Sequence, residues 1–116
     1  MRFKLPRKNR RAFLKYKEEA RRLVRGKLEA FNKIYGLRYG RIAIRNTKSR
    51  WGSCSTKGNL NFNYRIIFLP GALSDYLIIH ELCHLKEFNH SKKFWNLVAV
   101  AAPDYKKLRK ELKVVK

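Results

Sequence analysis

The sequence predicts an α+β fold: a long N-terminal helix, a small antiparallel sheet of about three strands, and a histidine-bearing helix followed by C-terminal helices. Three observations predict it. Apolar residues recur at helical spacing from Asn9 to Tyr35, alternate within residues 41–68, and return to helical spacing from Leu73 onward. A chain of 116 residues has room for one domain, residues 1–116, around one core. Hydrophobic content of 45% excludes a disordered chain in spite of a formal net charge of +21.

Residues 1–8 read as a short basic arm. In the helix of residues 9–36, Phe13, Tyr16, Ala20, Leu23, Val24, Leu28, Phe31, Ile34 and Tyr35 mark one face, and arginines and lysines fill the other. Glu18 with Arg22 and Glu29 with Lys33 are favourable pairs four residues apart. Gly26 marks a weak point where a bend is expected, and Gly36 is a C-terminal cap. The β region spans residues 40–69. Arg41–Asn46 alternates, residues 48–54 form a second strand, Ser55–Asn59 reads as a turn, and Leu60, Phe62, Tyr64, Ile66 and Phe68 alternate over a third strand or a strand running into a short turn. Short connections predict an antiparallel meander. The remainder, 73–116, is helical: Leu73–Lys86, a break at Phe88-Asn89, His90–Ala101, and a last helix with Pro103 at its first position.

The charge attracts polyanions, so nucleic acid, nucleotides and acidic membrane surfaces are all open as partners, while a plain solvated surface is the competing explanation. No zinc-finger spacing, RNA-recognition motif or phosphate-binding loop accompanies it. No apolar run is long enough to span a membrane. The basic start lacks the apolar segment of a secretory signal, and two cysteines build no disulfide framework, which together predict a reducing cytoplasm.

All three histidines lie between positions 80 and 90. His80-Glu81-Leu82-Cys83-His84 is an H-E-x-x-H run, and on a helix the four-residue spacing places both imidazoles on one face, where they reach one Zn²⁺. Glu81 can then take a proton from water held on the metal, as general base and not as ligand. A third ligand is needed. His90 can approach once the chain folds back at Phe88-Asn89. Glu87, three residues after His84, competes for the position or serves as an acceptor behind a ligand. Cys54 is a candidate fourth ligand of a closed structural site, whereas Cys83 should point away; both cysteines read more simply as small buried residues.

Lys48-Ser49-Arg50-Trp51-Gly52-Ser53-Cys54-Ser55, Asn61-Phe62-Asn63, the segment Asp75–Leu85, Asn89–Trp95 and Pro103-Asp104-Tyr105 together resemble the YgjP-like metal-dependent hydrolases, a metallopeptidase domain family related to the SprT-like and WLM zinc proteases. The resemblance covers residues 40–108, and the chain looks like a compact member without the longer N-terminal β region common there. It implies a zincin-like fold, His80, His84 and His90 as metal ligands, and Glu81 as the catalytic glutamate. It places the Arg50–Cys54 strand beside the active site, where Arg50, Trp51, Gly52 and Asn63 are candidates for substrate binding. Trp51 in the core and Gly52 as a close-packing residue are the plainer readings. Asp104 is a further candidate for orienting ligand or substrate, or simply a helix N-terminal carboxylate. Tyr64, Tyr76 and Tyr105 are the candidates to stabilise an oxyanion.

The expectation is therefore a zinc-dependent hydrolase, foremost a metallopeptidase. Two alternatives stand beside it. A nucleoside triphosphate pyrophosphatase acting on UTP, an activity attributed within the family, would need Lys48, Arg50, Arg65 or Lys92 to converge near the metal. A nucleic-acid-binding module with a structural zinc would need a fourth protein ligand.

Overall fold

The protein, described here as a computed structural model covering residues 9–115, begins with helix α1, Arg10–Tyr35. The basic arm of residues 1–8 lies outside the described residues. Asn9 caps α1 by accepting the Ala12 N–H at 2.7 Å, and Gly36 ends it in the left-handed conformation at φ 61°. Ala20, Val24 and Leu28 are fully buried along one stripe. The helix runs through Gly26 without interruption. Glu18 pairs with Arg21 at 3.5 Å, one residue short of the Arg22 expected from spacing.

The sheet holds β1 (Ile42–Arg45), β2 (Gly52–Cys54) and β3 (Leu60–Asn63) in the order β1-β3-β2. β2 and β3 are antiparallel, as expected, but β1 pairs with β3 in parallel. The reason lies in burial. Leu60 and Phe62 are fully enclosed, so β3 takes the centre and β2 the far edge. Residues 46–51 must then cross the end of β3. Asn63, at that end, donates its side-chain amide to the carbonyls of Thr47 at 2.9 Å and Arg50 at 3.2 Å, so it holds both arms of the crossing. Its own oxygen accepts the Arg65 N–H and starts a 3-10 turn, Tyr64–Phe68, where the sequence pattern left strand or turn open.

Helix α2, Gly71–Cys83, starts directly after Pro70, two residues before the expected Leu73, and ends before the expected Lys86. Nine of its thirteen residues are buried, because α1, β2, α3 and α4 surround it. Lys27 of α1 and Asp75 of α2 form an ion pair across their junction. Helix α3, Lys92–Ala101, is capped by Ser91, whose side chain accepts the Phe94 N–H. Tyr35 at the end of α1 donates its hydroxyl to the Leu97 carbonyl at 2.8 Å and accepts the Ala101 N–H at 3.2 Å. Helix α4 runs Tyr105–Lys113 with Asp104 at the N-cap position. Pro103 stands outside the helix and not at its first position, since Ala102 before it is held non-helical at φ −132°, ψ 75°. Among the described residues, no helix is long and apolar enough to cross a membrane.

Candidate metal centre and active site

Helix α2 delivers His80, Glu81 and, at its C-cap, His84. The chain then turns through Lys86–Asn89 and returns, so that His90 precedes the Ser91 cap of α3. The cap sets where α3 starts and therefore where His90 stands. The three Nε2 atoms converge: 3.2 Å from His80 to His84, 3.0 Å from His84 to His90, and 3.3 Å from His90 to His80. Four tetrahedral bonds of usual Zn–N length would set such nitrogens about 3.3–3.4 Å apart, so the triangle is only slightly tighter than a metal requires.

The opposite ring nitrogens fix which atom faces inward. His84 Nδ1 lies 3.0 Å from the backbone carbonyl of Glu87, and a carbonyl only accepts. The Nδ1 therefore carries the proton, and Nε2 presents its lone pair to the other two histidines. His80 Nδ1 lies 3.3 Å from the Tyr76 hydroxyl. Burial, then the fields of His84, His90 and Arg109, push His80 down to about 3. Burial likewise lowers His84. Both rings thus favour the neutral form that ligates a metal. Phe94, fully buried, stacks on His84 at 4.3 Å and meets the other two rings edge-on, while Trp95 stacks on His90 at 5.6 Å. Among the described residues, the three histidines are the group able to hold a metal ion. Glu87 enters through its backbone alone. Cys54 is half-buried and Cys83 fully buried, and neither joins the group.

Glu81 is 5% exposed, and burial pushes its carboxyl up to about 8. A divalent cation on the adjacent imidazoles acts in the opposite sense and favours the carboxylate. Gly52 of β2 makes room for this side chain. A Cβ there would stand 3.1 Å from Glu81 Cγ, 3.2 Å from Oε2 and 3.0 Å from the Asn61 carbonyl. Ser49, Trp51, Gly52, Tyr76, His80 and Glu81 line a cavity of about 410 Å³, closed on its other side by Leu112 and Val115.

The other sequence candidates lie in different places. Trp51 lines this cavity and carries the Arg65 guanidinium over its ring at 5.9 Å. Arg50, Lys48, Arg65 and Asn63 line an adjoining pocket that excludes His80 and Glu81. Among the three tyrosines, Tyr76 lines the cavity, with burial pushing its hydroxyl up to about 12. Tyr64 is buried against Phe13, and Tyr105 is stacked on Trp95. Asp104 is exposed and makes no side-chain cap. One cavity residue, Arg109, escaped sequence reading. It follows the core position Leu108 in a run of lysines, and nothing in the pattern separates it from them.

β2 is an edge strand. The Asn63 N–H donates to the Trp51 carbonyl at 2.8 Å, so by antiparallel alternation Gly52 turns its N–H and C=O toward the open edge.

Comparison with known proteins gives a family and a common fold. The YgjP-like family, described as a metallopeptidase domain, matches residues 4–114, and so takes in α1 as well as the segment carrying the motifs. The metallopeptidase zymogen of Pyrococcus abyssi, abylysin, superposes with a TM-score of 0.69 at 30% identity, over 78% of this chain and 94% of its own. The metallopeptidase zymogen of Methanocaldococcus jannaschii, jannalysin, superposes with a TM-score of 0.66 at 21% identity, over 77% of this chain and 92% of its own, which shows a common fold. No curated protein matches the chain.

Proposed function

This chain belongs to the YgjP-like metallopeptidase domain family, and we propose that it is a zinc-dependent peptidase in which His80, His84 and His90 hold the metal and Glu81 is the general base. The enzyme class, a metallohydrolase, and the need for a divalent metal follow from the family. The single observation that carries the finer reading is the convergence of three Nε2 atoms within 3.3 Å of one another, with the buried carboxyl of Glu81 lining the same cavity as His80. Three neutral imidazoles with one position left open is a catalytic zinc set, and no fourth protein ligand stands near among the described residues.

Zinc in that position would polarise a peptide carbonyl and acidify water. The chain's own residues do the rest. Glu81 accepts the proton of the attacking water as the new C–O bond forms, then returns it to the leaving amine as the C–N bond breaks. Tyr76 and the Glu87 carbonyl orient the rings of His80 and His84. Gly52 offers its free N–H and C=O to an extended substrate backbone, and Trp51 lines the same groove. Arg50 is a candidate to meet more distant substrate groups, while Asn63 holds the crossing loop that sets the start of β2.

The peptide reading is favoured over a nucleotide one by the open edge of β2; Lys48, Arg50 and Arg65 line a pocket apart from His80 and Glu81, and the cations of the cavity itself are Arg109 and Lys113. Two free cysteines fit a cytoplasmic enzyme. The test is cleavage of an unstructured protein with zinc, with chelator, and with zinc restored. Cleavage that follows the metal supports the reading; cleavage indifferent to chelation overturns it.

A further inference from the structure

The cavity that holds His80 and Glu81 is bounded on its α4 side by two cations, Arg109 and Lys113. Among the described residues, Glu81 is the only acidic one lining it. Arg109 is exposed, but its side chain is not without contact. Its guanidinium lies over the Trp95 ring at 5.0 Å, and Trp95 in turn stacks with Tyr105, at 4.9 Å and 14°, and with His90, at 5.6 Å and 24°. The guanidinium is thus tied through aromatic rings to the third histidine. Among the described residues, no carboxylate lies within ion-pair distance of it. A guanidinium stacked on one face keeps its N–H fork free for a planar anion.

Arg109 and Lys113 also line a second groove along α4, with Lys106, Lys107 and Lys110 beside Trp95 and Tyr105. The two hollows share both cations, so basic side chains continue from the cavity along the helix. A substrate strand that leaves the cavity past Leu112 and Val115 into this groove meets cations and aromatic rings.

We propose that Arg109 is a specificity-determining residue that receives a carboxylate of the substrate, so that the enzyme selects acidic peptide segments. The inference rests on the peptidase reading for the nature of its ligand. The carboxylate has two sources, an Asp or Glu side chain or a peptide C-terminus. A bidentate charge-assisted contact of this kind is worth about tenfold or more in affinity.

The experiment measures binding of labelled peptides to zinc-loaded full-length Glu81→Gln protein, alone and combined with Arg109→Gln, Arg109→Lys or Arg22→Gln. One Ala/Leu peptide core is used in four forms: Glu-flanked and amidated, Gln-flanked and amidated, Gln-flanked with a free C-terminus, and Lys-flanked and amidated. The expected result is binding at least about tenfold tighter for the Glu-flanked form than for its Gln counterpart, if side chains are read, or for the free acid over the amide, if the terminus is read. Arg109→Gln should bring that ratio close to one, and Arg109→Lys should keep part of it. Arg22→Gln removes the same charge from an exposed site on α1 and should leave the ratio intact. Thermal melting of each variant establishes that it is folded. Equal binding of all four peptides overturns the proposal, as does an equal loss in Arg109→Gln and Arg22→Gln, which would reduce the effect to bulk charge. Wild-type cleavage of the same peptides separates the two readings. Selective binding without cleavage retires the peptidase and keeps the carboxylate site; cleavage without selectivity does the reverse.

Discussion

Helices α1 and α2 lie against each other and are built on opposite plans. α1 carries nine lysines and arginines, buries three residues, and leaves most of its charge in water. α2 carries no lysine or arginine, buries nine of thirteen residues, and includes Glu81 among them. Exposed charge costs a fold almost nothing. A buried carboxyl without a partner is expensive, and a protein keeps one where chemistry needs it. The conspicuous feature of the composition, a charge of +21, is therefore a property of the surface, while the proposed reaction draws on a helix from which basic side chains are missing. α4 stands between the two plans, being basic like α1 yet sending Arg109 into the cavity that α2 builds.

The contrast can be broken hardest at the metal. His84→Ala removes the ring whose Nε2 faces both other histidines, so bound zinc and peptide cleavage should both be lost; metal analysis beside activity measures this, and full metal content in the variant would contradict the role given to His84. Gly52→Ala should come next. Its Cβ meets Glu81 Cγ at 3.1 Å and must displace the carboxyl, so kcat should fall about 100-fold while metal content stays. Unchanged kcat would mean that Glu81 needs no such close fit. On the α1 side the effects are on stability. Leu28→Ala, fully buried, should cost about 2–5 kcal/mol in urea denaturation, while the exposed Arg22→Gln should stay within about 0.5 kcal/mol. The Lys27–Asp75 pair joins the two helices at a partly exposed position, and Lys27→Met should cost about 1 kcal/mol or less.

The cysteines sharpen the comparison by chemistry. Burial pushes both Cys54 and Cys83 up to about 11, with Glu81 adding to the effect at Cys54. Only the thiolate is nucleophilic, so below that range little reactive form exists. Alkylation at pH 8 should be slow in the folded protein and fast in denaturant. Rapid labelling of Cys83 in the native state would mean that α2 opens readily.

Much of this was legible in the residues. The spacing of His80, Glu81 and His84 needs only a helix to become a site, and Asn9, Gly36 and Ser91 mark helix ends by local chemistry. His90 was readable because Phe88-Asn89 breaks the helix and lets the chain return. What escaped depended on contacts distant in sequence. The parallel pairing of β1 follows from a loop passing over β3 and from the bonds Asn63 makes to it, which no periodicity encodes. The place of Glu87 was open because side chain and backbone compete, and it is the backbone carbonyl that meets His84. Arg109 looks like its neighbours until α4 is packed against α2.

The central claim is that three histidines hold the metal while Glu81 moves the proton. The most direct measurement is zinc content together with peptide turnover in Glu81→Gln. The account predicts about one zinc per chain, as in the wild type, and turnover lower by about 10²–10⁴-fold. Turnover equal to wild type, or zinc lost along with activity, would contradict it.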